Sequence, residues 1–191
     1  MNDFTFYFGY GWDHIISIQA LDHLLFLAAL TAAYSLKKWK HVAVLVTAFT
    51  IGHSITLAVS IYDIVRFNSD WVEFLIPLSI VITCFYNIWF AQSRRPVVFQ
   101  YLMAMLFGLI HGMGFANTLR FMLSSKQNIA FPLLGFNIGI EAAQIVIVFI
   151  LLIIHFVVVE KIKFADKWWI YFLSMATGLT ALYMCITRWP F

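Results

Sequence analysis

Five side chains able to carry charge, Asp22, His23, His53, His111 and Glu141, sit inside long apolar runs of this 191-residue chain. A charged group at the middle of a bilayer helix costs about 2.5–3.5 kcal/mol on insertion scales, so such residues pair, bind something or line a path. Three imidazoles and two carboxylates make a donor set suited to a borderline divalent cation such as Ni²⁺, Zn²⁺ or Co²⁺. Cys84 and Cys185 lie in other apolar segments, and without a thiolate the set argues against a dedicated Cu(I) site. His14, eight residues before Asp22, can extend it. The candidate metal ligands are therefore His14, Asp22, His23, His53, His111 and Glu141. The competing account is a polar network that fixes helix packing without any metal, in which Asp22 caps a helix and each histidine is a satisfied core residue.

Spacing puts these groups on helix faces. Gln19, Asp22, His23 and Phe26 fall at i, i+3, i+4 and i+7, which is one side of a helix. The same arithmetic groups Thr47, Thr50, His53 and Ser54; then Gly108, His111 and Gly112; then Asn137, Glu141 and Gln144. Four helices that each carry one polar or small stripe should turn those stripes toward a common interior. The Gly108/Gly112 pair is a GxxxG, which lets a neighbouring helix come close. At 1.5 Å of rise per residue the five ionisable groups share a layer about 10–17 Å below one membrane surface.

Those helices must cross a membrane. The chain is 63% hydrophobic and only 11% charged, with a mean hydropathy of +0.89, too little charge to cover a water-soluble domain. About 20 apolar residues span a bilayer, and six stretches qualify: 15–36, 42–62, 71–91, 97–120, 129–159 and 168–187. The fifth is long enough to tilt or to begin with an interfacial turn before Pro132. The expected fold is all-α, a polytopic transmembrane helix bundle of about six spans forming a single integral membrane domain over 1–191, with the lipid bilayer as its first partner. All seven tryptophans fall near predicted span ends, where indole prefers to sit. The net charge of +3 is spread over short loops, so the basic residues read as topology signals and nucleic acid is excluded as a partner. Lys37, Lys38, Lys40, Arg94, Arg95, Lys161, Lys163 and Lys167 lie on one side; Arg66, Arg120, Lys126 and Arg188 lie on the other. That asymmetry places both termini outside the cytoplasm, and the His layer near the outer leaflet of what is expected to be a bacterial inner membrane. The segment MNDFTFYFGYGWDH lacks the basic start of a signal peptide and is expected to stay on the mature protein.

The segments HIISIQALDHLLFL (14–27), TAFTIGHSITLA (47–58), FGLIHGMGFA (107–116) and FNIGIEAAQ (136–144) resemble, in order, those of the HupE/UreJ family of hydrogenase and urease accessory membrane proteins. The resemblance is to a shorter branch without a leader peptide. It implies a nickel permease or metal-handling accessory role and carries the family's histidines and acids to His14, Asp22, His23, His53, His111 and Glu141.

The leading expectation is a membrane protein that binds and transports a divalent metal, nickel or zinc, rather than an enzyme. No GxxxxGK[ST] occurs, so ATP hydrolysis within the chain is not expected, and the membrane potential or a coupled ion would drive flux. The alternative is an intramembrane zinc hydrolase in which the histidines hold the metal, Asp22 or Glu141 activates water, and Ser54 assists. A third reading is a binding or assembly subunit. The sequence leaves a homo-oligomer and an accessory partnership open. The half of the helices away from the His layer is poor in polar residues apart from Asn87, Gln100 and His155, which weighs against a permease. His41 and His155 read as surface or snorkelling residues, and so does Glu73.

Overall fold

The computed structural model describes residues 3–93, 96–123 and 129–191, and everything it describes is helix or short connection. In chain order the helices are α1 (Asp3–Ile16), α2 (Leu21–Thr31), α3 (Trp39–Ile61), α4 (Ser69–Trp89), α5 (Val97–Leu123), α6 (Ala130–His155) and α7 (Asp166–Thr187). Among the residues that set the charge asymmetry, Arg94, Arg95 and Lys126 lie outside the described set, as does the side chain of Arg120 and, from the first polar stripe, that of Gln19.

Among the described residues, five helices are long and apolar enough to cross a membrane, and they answer to the second through sixth stretches read from the sequence. The longest of these runs, from Ala130, continues through a π-helical turn (Phe156–Lys161) to give 32 residues. Pro132 falls in its first turn, where a missing N–H costs nothing. The first expected span differs. α2 has 11 residues, about 16 Å of rise, half of what the hydrocarbon core requires. It is preceded by α1 at an angle of 70°, and the bent pair has the length and apolarity of a broken span or a re-entrant loop. Between them Ser17 N donates to the Asp13 carbonyl and Ala20 N to the Ser17 carbonyl, so a tightened turn replaces the regular ladder. Broken helices are tolerated at membrane depth where they border a cavity or protein.

In lipid, helices associate by close packing more than by hydrophobic drive, and glycine makes the two tightest seams here. A Cβ on Gly108 or Gly112 of α5 would meet the backbone of Phe49 or His53 of α3, and one on Gly52 would meet the Met105 carbonyl. The GxxxG therefore works as its spacing suggests. In the second seam Gly11 of α1 lies against Phe136 of α6, while Gly139 lies against Phe8. Phe26, Phe49, Leu45 and Val46 fill the core beside the first seam, while Tyr7, Ile15, Phe136 and Ile140 fill it beside the second. Trp39, Trp71, Trp89 and Trp168 stand exposed at helix ends.

The α3–α5 seam holds two of the candidate ligands, His53 and His111, at a fixed separation. Gly108→Ala should force the helices apart and cost about 1–3 kcal/mol, as overpacking does elsewhere. Gly9→Ala has open space around the new methyl group and should be neutral. Thermal unfolding of the two variants in detergent checks this; equal midpoints would show that the seam is not under close-packing constraint.

Candidate metal centre

The break between α1 and α2 decides where the site lies. His14 ends α1, while Asp22 and His23 begin α2. A continuous helix would separate His14 and His23 by two and a half turns. Across the bend their rings stand 4.9 Å apart, centroid to centroid. His53 arrives from α3, its ring 6.0 Å from His23 and 6.4 Å from His14. His111 arrives from α5, 5.1 Å from His23. His23, His53 and His111 are buried.

The hydrogen bonds fix which nitrogen each ring offers. His23 Nδ1 lies 2.9 Å from Asp22 Oδ1, and an ionised carboxylate only accepts, so Nδ1 carries the proton. His111 Nδ1 donates to the Phe107 carbonyl at 2.8 Å. In both rings Nε2 is left with its lone pair. A proton held on one nitrogen by a carboxylate or a carbonyl is the usual way in which a metal-binding imidazole is oriented. His23 Nε2, His111 Nε2, His14 Nε2 and both ring nitrogens of His53 are buried with no hydrogen-bond partner. Asn137 of α6 approaches the His53 ring as a weak hydrogen-bond neighbour, its Oδ1 short of a regular hydrogen bond. A network whose only task is packing satisfies its own donors and acceptors, because each orphan costs about 1–3 kcal/mol. Other such atoms, among them Gln144 Nε2, His155 Nδ1, Trp169 Nε1 and Ser174 Oγ, lie elsewhere, whereas five imidazole nitrogens gather at this one place.

Their spacing fits a cation. His14, His23 and His53 each offer one nitrogen, and these three atoms lie within 4.8 Å of one another. Three points that far apart have a centre about 2.8 Å from each. Closing to the usual 2.0–2.1 Å metal–imidazole bond asks under about 1 Å of movement per ring. The walls are aromatic: Phe115 lies 4.2 Å from His14 and stacks on Phe136, while Phe49 and Phe26 lie 5.1 and 5.3 Å from His111. Such walls exclude water and strengthen any electrostatic contact inside them.

A family model described as HupE / UreJ protein matches residues 1–188. The chain belongs to the HupE/UreJ family. No curated protein and no solved structure matches it. Membership makes this an integral membrane protein of a group linked to metal handling, which agrees with the apolar helices and the histidine cluster.

Other residues of this HupE/UreJ chain fall less simply. Glu141 accepts a hydrogen bond from Thr47 Oγ1 at 2.6 Å, and Thr47 lies six residues before His53 on α3, about 9 Å of rise. It thus meets α3 away from the imidazoles. Gln144, on the same face as Glu141, accepts from Thr50. Ser54 donates to the Thr50 carbonyl at 2.7 Å, so its hydroxyl serves its own helix.

Two residues with no part in the sequence-based site stand at its mouth. A cavity of about 190 Å³ reaches His14, Asp22, His23 and His111 and is rimmed by Glu73 and Arg188. Arg188 Nη1 lies 3.8 Å from Asp22 Oδ2, and its Nε lies 3.7 Å from Glu73. Neither was legible from spacing, since the two come from the start of α4 and the end of α7. Two histidines read as surface groups also differ. His155 is buried and pairs with Asp166 at 2.9 Å. His41 opens the first turns of α3, half-buried, with a hydrogen bond to Tyr101.

Proposed function

We propose that this protein binds a divalent transition metal between α1, α2, α3 and α5 and passes it across the membrane, nickel being the ion that the family suggests. The observation that carries the reading is the gathering of unpartnered imidazole nitrogens, three of them within 4.8 Å of one another. In this assignment His14, His23 and His53 are the ligands. His111 stands ready as a fourth donor, Asp22 orients His23 and lends it negative charge, and Glu141 is a carboxylate farther along the same interior. The cavity rimmed by Glu73 and Arg188 is the approach from outside. Its two carboxylates draw a cation in, while the Arg188 guanidinium has to give way to it. We assign that approach to the extracytoplasmic face, with both termini on the same side and the lysine-rich loops in the cytoplasm of an inner membrane.

A translocating site binds loosely enough to let go. Three neutral imidazoles with one partly screened carboxylate meet that need better than a closed thiolate cage.

The test pairs metal analysis of the purified protein with flux into liposomes carrying an internal metal-sensitive dye. The expected result is reversible binding of about one Ni²⁺ or Zn²⁺ per chain and potential-driven uptake. Tight stoichiometric metal without uptake would overturn transport and leave a resident metal.

A further inference from the structure

The half of the bundle away from the histidines is more polar than its sequence suggests. At that end Tyr34 donates to Gln100 Oε1 at 2.7 Å, and His41 Nε2 lies 3.3 Å from the same oxygen. Tyr101 then reaches His41 Nδ1 at 2.8 Å. One tautomer satisfies the whole chain, with His41 donating from Nε2 and accepting at Nδ1. These groups come from the α2–α3 connection, from α3 and from α5, and no helix carries enough of them to show a stripe.

Two cavities meet at this network. One, of about 620 Å³, is lined by Tyr34, His41 and Gln100 and reaches the surface between Lys38 and Asp166, both exposed. The other, of about 30 Å³, lies deeper and is lined by Tyr34, Asn87, Gln100, Ala104, Phe107 and Phe26. That volume is enough for one or two waters. Tyr34 and Gln100 border both. Phe26 lines the deeper cavity, and its ring also lies 5.3 Å from that of His111 and stacks 4.7 Å from Phe49. Gln100 and His111 are eleven residues apart on α5, about 16 Å of rise.

We propose that the cation route continues past the histidines into this second chamber, with the Phe26 ring as the gate between them and Gln100, Tyr34 and His41 as a weaker site for a hydrated divalent cation before release. This rests on the transport reading given above. A dry aromatic constriction blocks an ion by dewetting. Beyond it, the Gln100 amide and Tyr34 phenol oxygens, already engaged in hydrogen bonds, meet the ion chiefly through its water shell and hold it less firmly than three imidazole lone pairs do. The ion therefore passes from strong to weak donors and then to water.

Accessibility tests the route without measuring metal transport. In a background with Cys84→Ala and Cys185→Ala, single cysteines replace Ala20 at the outer cavity, Ala104 at the deeper chamber and Ala33 at the vestibule. Silver ion is applied to one face of sealed vesicles, and protected thiols are scored by later alkylation in denaturant. From the lysine-bearing face, silver should protect Ala33→Cys and Ala104→Cys and leave Ala20→Cys free; from the other face it should protect only Ala20→Cys. Adding Phe26→Leu, which keeps the bulk but removes the ring, should raise the rate at Ala104→Cys from the outer face several-fold. Met103→Cys borders the same chamber and replaces Ala104→Cys if that variant does not accumulate. Protection at position 33 with none at 103 or 104 would overturn the conduit, and no change with Phe26→Leu would overturn the gate. Loss of metal binding with this pattern intact would sink the transport reading and leave the conduit supported.

Discussion

Replacing His53 by leucine is expected to lower the affinity of the purified protein for Ni²⁺ or Zn²⁺ by on the order of 100-fold or more, while leaving the metal-free protein as stable as before or more so. Loss of an outer orienting partner alone costs about 10–100-fold, and His53 is proposed as a ligand itself. The stability half of the expectation separates the two accounts of the cluster. If His53 only braces the helices, an apolar replacement removes bonds that matter and the protein unfolds sooner. Yet neither ring nitrogen makes a regular hydrogen bond, Asn137 being a weak neighbour at most, and removing buried polar atoms so poorly satisfied relieves up to about 1–3 kcal/mol. Asp22→Asn is the graded companion. It keeps an acceptor for His23 Nδ1 but removes the charge, and should cost about 10–100-fold. His41→Ala, in the distant network, should leave affinity at the histidine layer unchanged. The readouts are isothermal titration with each metal and thermal unfolding with and without it. A His53→Leu protein that binds normally, or one that loses stability only in the metal-free form, would remove His53 from the ligand set.

Acidification should strip the metal, and steeply. An imidazole donates a lone pair only when neutral, so each ligand that must shed a proton adds one proton to the binding equilibrium. An unperturbed histidine titrates near pH 6.5. Above the range in which the free site holds protons, affinity is flat; below it, affinity falls about tenfold per pH unit for each proton displaced. Three imidazole ligands therefore give a limiting slope of about three, and a variant lacking one of them a slope of about two. The sign is fixed: the bound cation favours the deprotonated rings, so its contribution is present at high pH and lost as pH falls. Ni²⁺ titrations of the detergent-solubilised protein from pH 5 to pH 8 measure the slope. The same slope before and after removal of His23 would mean that the rings do not act as a set.

Much of this architecture can be read from residue order. Bilayer thickness forces long apolar runs, so five helices fall where hydropathy puts them, and the Gly108/Gly112 seam follows from spacing alone. The histidines were legible for the same reason, since an imidazole is conspicuous in a chain this apolar. What spacing could not show is any feature made by two helices at once. The turn at 17–20 contains no glycine or proline, so nothing local announces the bend that brings His14 to His23. Glu141 shares an estimated depth with the imidazoles, but depth ignores rotation about the helix axis, and its carboxylate turns to Thr47. Lysine neighbours made His41 look solvated, although its ring folds back between Tyr34 and Tyr101.

The same bend has a mechanical side. α3 and α5 are joined backbone to backbone at Gly52, Gly108 and Gly112, so His53 and His111 ride on one rigid body. His14 rides on α1, which packs on α6 through Gly11 and Gly139, and the four residues from Ser17 to Ala20 are the chain's joint between α1 and α2. A continuous span would have to slide or tilt as a whole to open a coordination shell. In a jointed one the donors before and after the pivot sit on separate rods, His14 on α1 and His23 on α2, so the size of the pocket between them is set by the angle at the joint and not by the tilt of a whole span.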